Sequence, residues 1–322
     1  MLLKLIPDNT HIPFTNWRYI AMTLSAIMVI CSIIAVATLG LNFGVDFKGG
    51  VTIEVVDDQP VDLGNVRSTI GALGLGEVNV TEIQDVGGAE KGILVTVEQQ
   101  DTAADEDADA AQQNAADQVR EALRQLLGDD VEFRKTEVVG ATVSGELVEK
   151  GILAVVLAIT GMLFYIWLRF EWQFSVGSIV ALVHDITITM GMFAVSRLDF
   201  NVATIAALLT IVGYSMNDTV VVYDRVRENL RKYKKKPLPE LIDLSINETL
   251  TRTVMTSGTT LLSLIALFFF GGEVLRGFTA AIIFGILIGT YSSIFVASPF
   301  LLATGVKRDW SKVRVEEAPA AS

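Results

Sequence analysis

Six apolar stretches fix what this chain can become. They fall near residues 18–39, 151–169, 174–196, 202–223, 254–271 and 277–304, each close to the roughly 20 residues a helix needs to cross a bilayer. Inside hydrocarbon every backbone amide must find its partner within the chain, so each stretch is expected to be a spanning helix. Hydrophobic residues make up 51% of the 322 and the mean hydropathy is +0.48, which fits a polytopic membrane protein rather than a soluble domain. The first stretch contains Ala35, Val36 and Ala37, a small-x-small form that a signal peptidase accepts. Its length nevertheless exceeds the ~7 to 15 residues of a signal core, so it reads as an uncleaved anchor.

Charge gives the orientation. Residues 41–150 hold 23 acidic against 8 basic side chains, whereas the rest of the chain holds 14 against 17. Lys and Arg collect beside the spans at Arg18, Arg169, "DRVRENLRKYKKK" (224–236) and "KRDWSKVR" (307–314). By the positive-inside rule these segments are cytoplasmic and the acidic block lies outside. The expected organisation is a cytoplasmic segment at 1–17, a first span at 18–39, an extracytoplasmic domain at 40–150 and spans two to four within 151–223. A basic cytoplasmic loop at 224–251, spans five and six within 252–304, and a cytoplasmic tail at 305–322 complete it.

Within the acidic block, "GVTIEVVDD" (50–58), "EVNVTEIQDV" (77–86), "GILVTVEQQ" (92–100) and "VEFRKTEVVG" (131–140) alternate like strands. "VDLGNVRSTIGALG" (61–74) and "AADQVREALRQLLG" (115–128) have helical spacing ending in glycine. The order β-α-β-β-α-β predicts an α+β ferredoxin-like unit. Between its third strand and second helix, "DTAADEDADAAQQNAAD" (101–117) has too few large apolar residues to offset its ordering entropy, and a mobile acidic loop is expected there. Cys31, the single cysteine, lies in the first span, so the outer domain has no disulfide. With only His11 and His184 and no Cys/His cluster, no metal site is expected, and no cofactor either.

Asp218 is the residue that most needs a reason. It interrupts the fourth span, where a carboxylate costs about 2.5 to 3.5 kcal/mol even on the gentler insertion scale. Gly213, Ser215, Asn217 and Thr219 surround it with small or polar groups that suit helix contact. Arg252 opens the fifth span from the same side, and an antiparallel pairing would bring it near the level of Asp218. A carboxylate poised between an opposite charge and desolvation can load and unload a proton. Snorkelling of Arg252 to the headgroups and a structural role for Asp218 are the alternatives. His184 and Asp185, midway along the third span, either extend a polar path or satisfy an interhelix contact with Thr187 or Thr189. Asp224 begins the charged run and reads as an interface residue. In "LNFGVDFKGGVTIEV" (41–55), Gly44, Gly49 and Gly50 permit tight turns and Asp46 can bond neighbouring amides, so the stretch reads as a connector.

"FGVDFKGG" (43–50) and "GYSMNDTVVVYDRVREN" (213–229) together resemble the SecF family, the smaller membrane subunits of the bacterial SecDF complexes that assist the Sec translocon. The resemblance spans nearly the whole chain and includes six spans with one exported domain after the first. It implies an RND-superfamily protein that uses the proton-motive force, together with SecD, to draw translocating polypeptide outward across the inner membrane. It also implies that Asp218 and Arg252 serve proton passage, with Asn217 and Asp185 as candidates for an auxiliary polar path and protons as the coupling ion. The implied partners are SecD, SecYEG and YajC, besides the exported polypeptide; no nucleic-acid partner is expected.

Enzymatic readings find little support. An intramembrane aspartyl protease would pair Asp185 with Asp218 or Asp224, but the sequence has no GxGD segment. No GxSxG, Walker A or Rossmann glycine pattern occurs. Half of a small-molecule or lipid exporter would want an apolar pocket that an outer domain of about 110 residues has little interior to supply. A passive translocon scaffold is the remaining class.

Overall fold

The computed structural model describes residues 7, 10–57, 61–84, 91–98, 108–128, 131–271 and 273–306. The segment at 1–17 is thus described at residue 7 and from residue 10 onward, and the tail beyond 306 and residues 101–107 lie outside the described part.

Helix α1 (Arg18–Leu39) leads through a two-residue strand β1 (Asn42–Phe43) and one helical turn, α2 (Val45–Lys48), into the acidic block. There β2 (Gly50–Asp57), α3 (Leu63–Gly71), β3 (Val78–Gln84), β4 (Lys91–Glu98), α4 (Ala108–Leu127) and β5 (Glu132–Val139) follow in the expected β-α-β-β-α-β order. The sheet order is β3-β4-β2-β5 with every neighbouring pair antiparallel, which puts β2 in the interior. Alternation decides the faces: Val51, Ile53 and Val55 are buried, with Thr52 and Glu54 between them on the open face. The buried set packs on Val66 and Ile70 of α3 and on Val119 and Leu123 of α4. Asp62 caps α3 by accepting from the amides of Gly64 and Asn65.

The second helix of this domain begins at Ala108, seven residues before the helical spacing expected from 115, so residues 108–114 of the acidic segment are helical as well. Gln112, Ala115 and Ala116 are buried and continue the stripe of Val119 and Leu123 at helical spacing. Small residues seat this helix close to the sheet, and alanine has the highest helix propensity, so a helix forms here without large apolar side chains.

The remaining helices are α5 (Ala141–Arg169), α6 (Trp172–Ser196), α7 (Val202–Lys232), α8 (Leu238–Phe270), α9 (Glu273–Ser292) and α10 (Ser298–Thr304), with a short strand β6 (Asp199–Phe200) before α7. Among the described residues, six segments are long and apolar enough to span a membrane, the last running from Leu275 to Thr304 through α9, a π turn at Ser293–Ala297, and α10. The helices outrun the apolar stretches. α5 starts ten residues before 151 with no break after β5, and the expected loop at 224–251 consists of the ends of α7 and α8 joined by residues 233–237. Lys, Arg, Glu and Leu are good helix formers, so nothing stops the helices where the hydrocarbon ends.

Two clusters fill the bundle. One gathers Phe174, Tyr223, Leu241, Ile246 and Leu301 near the 233–237 end, and the other gathers Phe193, Phe200, Leu208, Ile211 and Ile286 near the domain end. The middle layer between them is polar.

Candidate functional site

Helix α7 organises that layer. Asn201 caps its first turn in a capping box with Thr204, and Ile211, Ser215, Asp218 and Val222 form its buried stripe. Against this stripe lies α9, whose Gly285 and Gly289 face Ile211 and Ser215; a Cβ at Gly289 would stand 3.0 Å from Ser215 Cβ. Such small-residue contacts let helix backbones approach closely in a membrane.

Asp218 is 2% exposed, and its Oδ2 has no hydrogen-bond partner among the described residues. It stands fourteen residues before the end of α7, and Arg252 stands fourteen residues after the start of α8. At 1.5 Å per residue both therefore lie about 21 Å from the connecting turn, at one depth. Arg252 is exposed on α8. No ion pair joins it to Asp218 among the described residues.

Asp185, by contrast, is saturated. It is fully buried on α6; its Oδ2 accepts from Ser215 Oγ at 2.5 Å and from Ser292 Oγ at 2.8 Å, while Oδ1 meets His184 Nδ1 at 2.8 Å. Of the two hydroxyls expected as its neighbours, Thr189 bonds the Asp185 backbone carbonyl instead of the carboxylate. His184 stacks on Tyr291, and its Nε2 is buried without a partner among the described residues. Tyr291 Oη donates to Ala21 O at 2.9 Å and also meets Ser25 Oγ, which brings α1 into the layer. Ser257 of α8 joins through Thr290 Oγ1 at 2.9 Å. Ser215 belongs to both groups: it holds Asp185 and precedes Asp218 by three residues, about 4.5 Å of rise.

Asn217 is not part of this cluster. Its side chain is exposed, on the α7 face that also shows Thr210 and Gly213. Asp224 sits at the far end, where it accepts two hydrogen bonds from Arg169 at 2.9 and 3.0 Å. No two of the three aspartates share a hydrogen bond, so the dyad that proteolysis requires is not formed among the described residues.

Ser292 and Tyr291 were not singled out in the sequence. The available signal was the hydroxyl run "TYSS" (290–293) followed by Ser298 and Pro299, because a proline withholds an amide and frees carbonyls upstream. The π turn opens at this point, and Tyr223 Oη donates to Ala297 O at 2.9 Å.

The connector residues do more than turn the chain. Gly49 has φ 75° and Gly50 has φ 138°, conformations that L side chains rarely adopt. Gly44 N donates to Phe200 O at 3.0 Å, and Asp46 reaches across 156 residues to accept from Val202 N, the first amide of α7, at 3.0 Å. The expectation that Asp46 serves its own neighbours is thereby corrected: the helix end, with its free amides and positive dipole, is the stronger donor. Asp199 stands beside this contact; its surface is open, yet partial desolvation raises its carboxyl pKa above the ordinary 3.8 while Lys48 opposes the rise.

Comparison with known proteins finds relatives along nearly the whole chain. Residues 118–307 match the family described as protein export membrane protein SecD/SecF, C-terminal, and residues 34–61 match the SecD/SecF GG motif. The protein translocase subunit SecF of Cereibacter sphaeroides is 46% identical over 312 residues, covering 96% of this chain and 94% of that protein. Its counterpart in Rhodobacter capsulatus is 44% identical over 313 residues with the same coverage. Among solved structures, the crystal structure of SecDF, a translocon-associated membrane protein from Thermus thermophilus, superposes with a TM-score of 0.80 at 34% identity over 94% of this chain. A second SecDF structure, in a super-membrane-facing form, gives a TM-score of 0.64. This chain spans 40% of the length of either SecDF chain.

Proposed function

Since the chain belongs to the SecD/SecF family of protein export membrane proteins, we propose that it couples proton entry to Sec-dependent export through Asp218, in complex with SecD. The observation that carries this reading is the buried, partnerless oxygen of Asp218 at the depth of Arg252. A carboxylate that no hydroxyl or cation satisfies in one state has a reason to take up a proton, and Arg252, exposed on a long stem, is placed to compete with that proton in another. Each proton entering down about 100 mV contributes about 2.3 kcal/mol, which shifts a two-state equilibrium by about fiftyfold.

A face of α7 and α8 supports the SecD assignment. Asn217 on α7 and Arg252 on α8 are exposed at membrane depth, where lipid offers no hydrogen bond, while the Thr210 and Thr259 hydroxyls are satisfied by carbonyls of their own helices. We infer that SecD helices cover this face and that Asn217 serves the path there, while Asp185 serves it from inside the bundle. The β-α-β-β-α-β unit is read as a ferredoxin-like domain on the extracytoplasmic side of the inner membrane, with both termini cytoplasmic beside the basic segments. SecYEG, YajC and the emerging polypeptide are the further proposed partners. The subunit works without an enzymatic step.

Asp218→Asn is the test. In proteoliposomes it is expected to abolish export stimulated by the proton-motive force while SecD still co-purifies, whereas undiminished export would refute the relay. An exporter of small molecules would instead show substrate-dependent proton uptake without SecYEG.

A further inference from the structure

The segment that joins α1 to the sheet is fastened by several contacts to residues 197–202, which run from the end of α6 into the start of α7. Arg197, in a left-handed conformation with φ 56°, donates to Leu39 O at 2.8 Å and Gly40 O at 3.3 Å. Asn42 Nδ2 donates to Asp199 Oδ1 at 2.6 Å, β1 pairs with β6, and Asp46 accepts from Val202 N at 3.0 Å. Phe43 and Phe47 pack on Phe200 with ring centroids 5.8 and 6.0 Å away. The other end of the segment is tied to the sheet: Lys48 Nζ lies 2.6 Å from Glu98 Oε1 on β4, and Gly50 begins β2, an interior strand.

Covalent connection alone would hold the domain to the membrane through α1 and α5. Neither of these carries the titrating site. The fastening at residues 197–202 adds a route from α7, which carries Asp218 about 24 Å further along at 1.5 Å per residue, straight into the sheet. The same residues Asp46, Lys48, Asp199 and Asn201 floor a cleft of about 610 Å³ beneath the open sheet face, so a shift of α7 would reshape that cleft directly.

We propose that residues 39–49 form a strap that stays closed through the working cycle and transmits movement of α7 to the exported domain, with Asp46 as its positioning residue. The proposal rests on the relay reading of Asp218, and it predicts uncoupling, a different failure from loss of proton passage.

The experiment measures proton uptake and polypeptide export together, in proteoliposomes containing the complex with SecD and SecYEG. Asp46→Ala is expected to lower export per proton about tenfold, the factor that one lost charge-assisted hydrogen bond supplies, while proton uptake persists. In a Cys31→Ser background, Asn42→Cys with Asp199→Cys places a disulfide where those two side chains already touch. Added to Asp46→Ala, this cross-link restores export per proton when oxidised and not when reduced. Unchanged export in Asp46→Ala, or an oxidised cross-link that fails to restore it, overturns the strap. If Asp46→Ala does not assemble, the cross-link alone decides: export that survives oxidation supports a strap that stays closed, and export lost on oxidation overturns it. Proton uptake that survives Asp218→Asn would sink the relay reading instead, and the two failures are read in separate variants.

Discussion

The contact between α9 and α7 allows a perturbation whose size follows from geometry. A Cβ built on Gly289 lies 3.0 Å from Ser215 Cβ and 3.2 Å from Ser215 Cα, and the latter is backbone that cannot rotate away. Carbon contacts are most favourable at about 3.5 to 4.0 Å, so Gly289→Ala forces the helices about 0.5 Å apart. Overpacking of this kind costs about 1 to 3 kcal/mol, and a half-ångström retreat belongs at the lower end. The Ser215–Asp185 hydrogen bond, now 2.5 Å, tolerates that stretch because hydroxyl bonds persist to about 3.0 Å. Gly289→Val sends methyl groups further and breaks it, adding about 0.6 kcal/mol and at most about 1.7, the range for interhelical hydrogen bonds in membranes. Reversible unfolding of the purified protein in bicelles reads these costs. Ser215→Ala, introduced into each background, isolates the hydrogen bond: it should be costly in the wild type and in Gly289→Ala, and nearly free once Gly289→Val has already broken the bond. An equal cost of Ser215→Ala in all three backgrounds would refute the reasoning, since Ser215 would then be held independently of α9.

Three further outcomes are expected. Asp185→Asn keeps an acceptor for Ser215 and Ser292 but removes the charge, so proton uptake in proteoliposomes should fall in part, whereas Asp218→Asn should eliminate it; the reverse order would exchange their roles. Asp199 has a carboxyl pKa raised above 3.8 in the folded chain, so the folded state holds a proton that the unfolded chain has released. Its contribution is full below about 3.8 and is lost as pH rises through the higher folded value, and the wild-type minus Asp199→Asn difference in thermal midpoint should decline across that window. Gly49→Ala meets φ 75° with ψ 162°, a region nearly confined to glycine, and should cost about 1 to 3 kcal/mol in thermal unfolding, where a neutral result would mean the strap can re-form with a different backbone.

The sequence was informative where a physical cost is local. Alternation revealed the strands because each is half-buried, and Val51, Ile53 and Val55 record that face without reference to any partner. Asp218 was legible because a carboxylate in hydrocarbon is expensive wherever its neighbours lie. Its level with Arg252 was expected from antiparallel neighbours and the reach of an arginine stem, and the fourteen-residue offsets that place both at one depth became visible only with the helix ends. What stayed hidden depends on contacts between distant segments. Ser292 is one hydroxyl among many until α9 is known to pack on α6 and α7, and Asp46 resembles a turn residue until Val202 appears beside it. The helical ends of α7 and α8 were missed for another reason, because hydropathy records where the membrane stops and not where the helix does.

That last distinction bears on mechanism. Helices that continue past the bilayer behave as levers, and α7 projects beyond the hydrocarbon toward the 233–237 turn, where Asp224 grips Arg169 and Asn229 Nδ2 donates to Ser245 Oγ at 3.0 Å. At the domain end the same helix is held by Asn201, Asp46 and β6. Asp218 lies between these two fastenings, three residues from Ser215, which meets both the glycine contact with α9 and the saturated Asp185. If Asp218 takes up a proton as proposed, that proton acts on a rod gripped at both ends, and such a rod can only tilt or slide as a unit. Domain movement thus requires no unfolding of α7, and a helix break introduced between Asp218 and Val202, such as Leu209→Pro, should separate export from proton uptake as Asp46→Ala does, with normal export in that variant contradicting the lever.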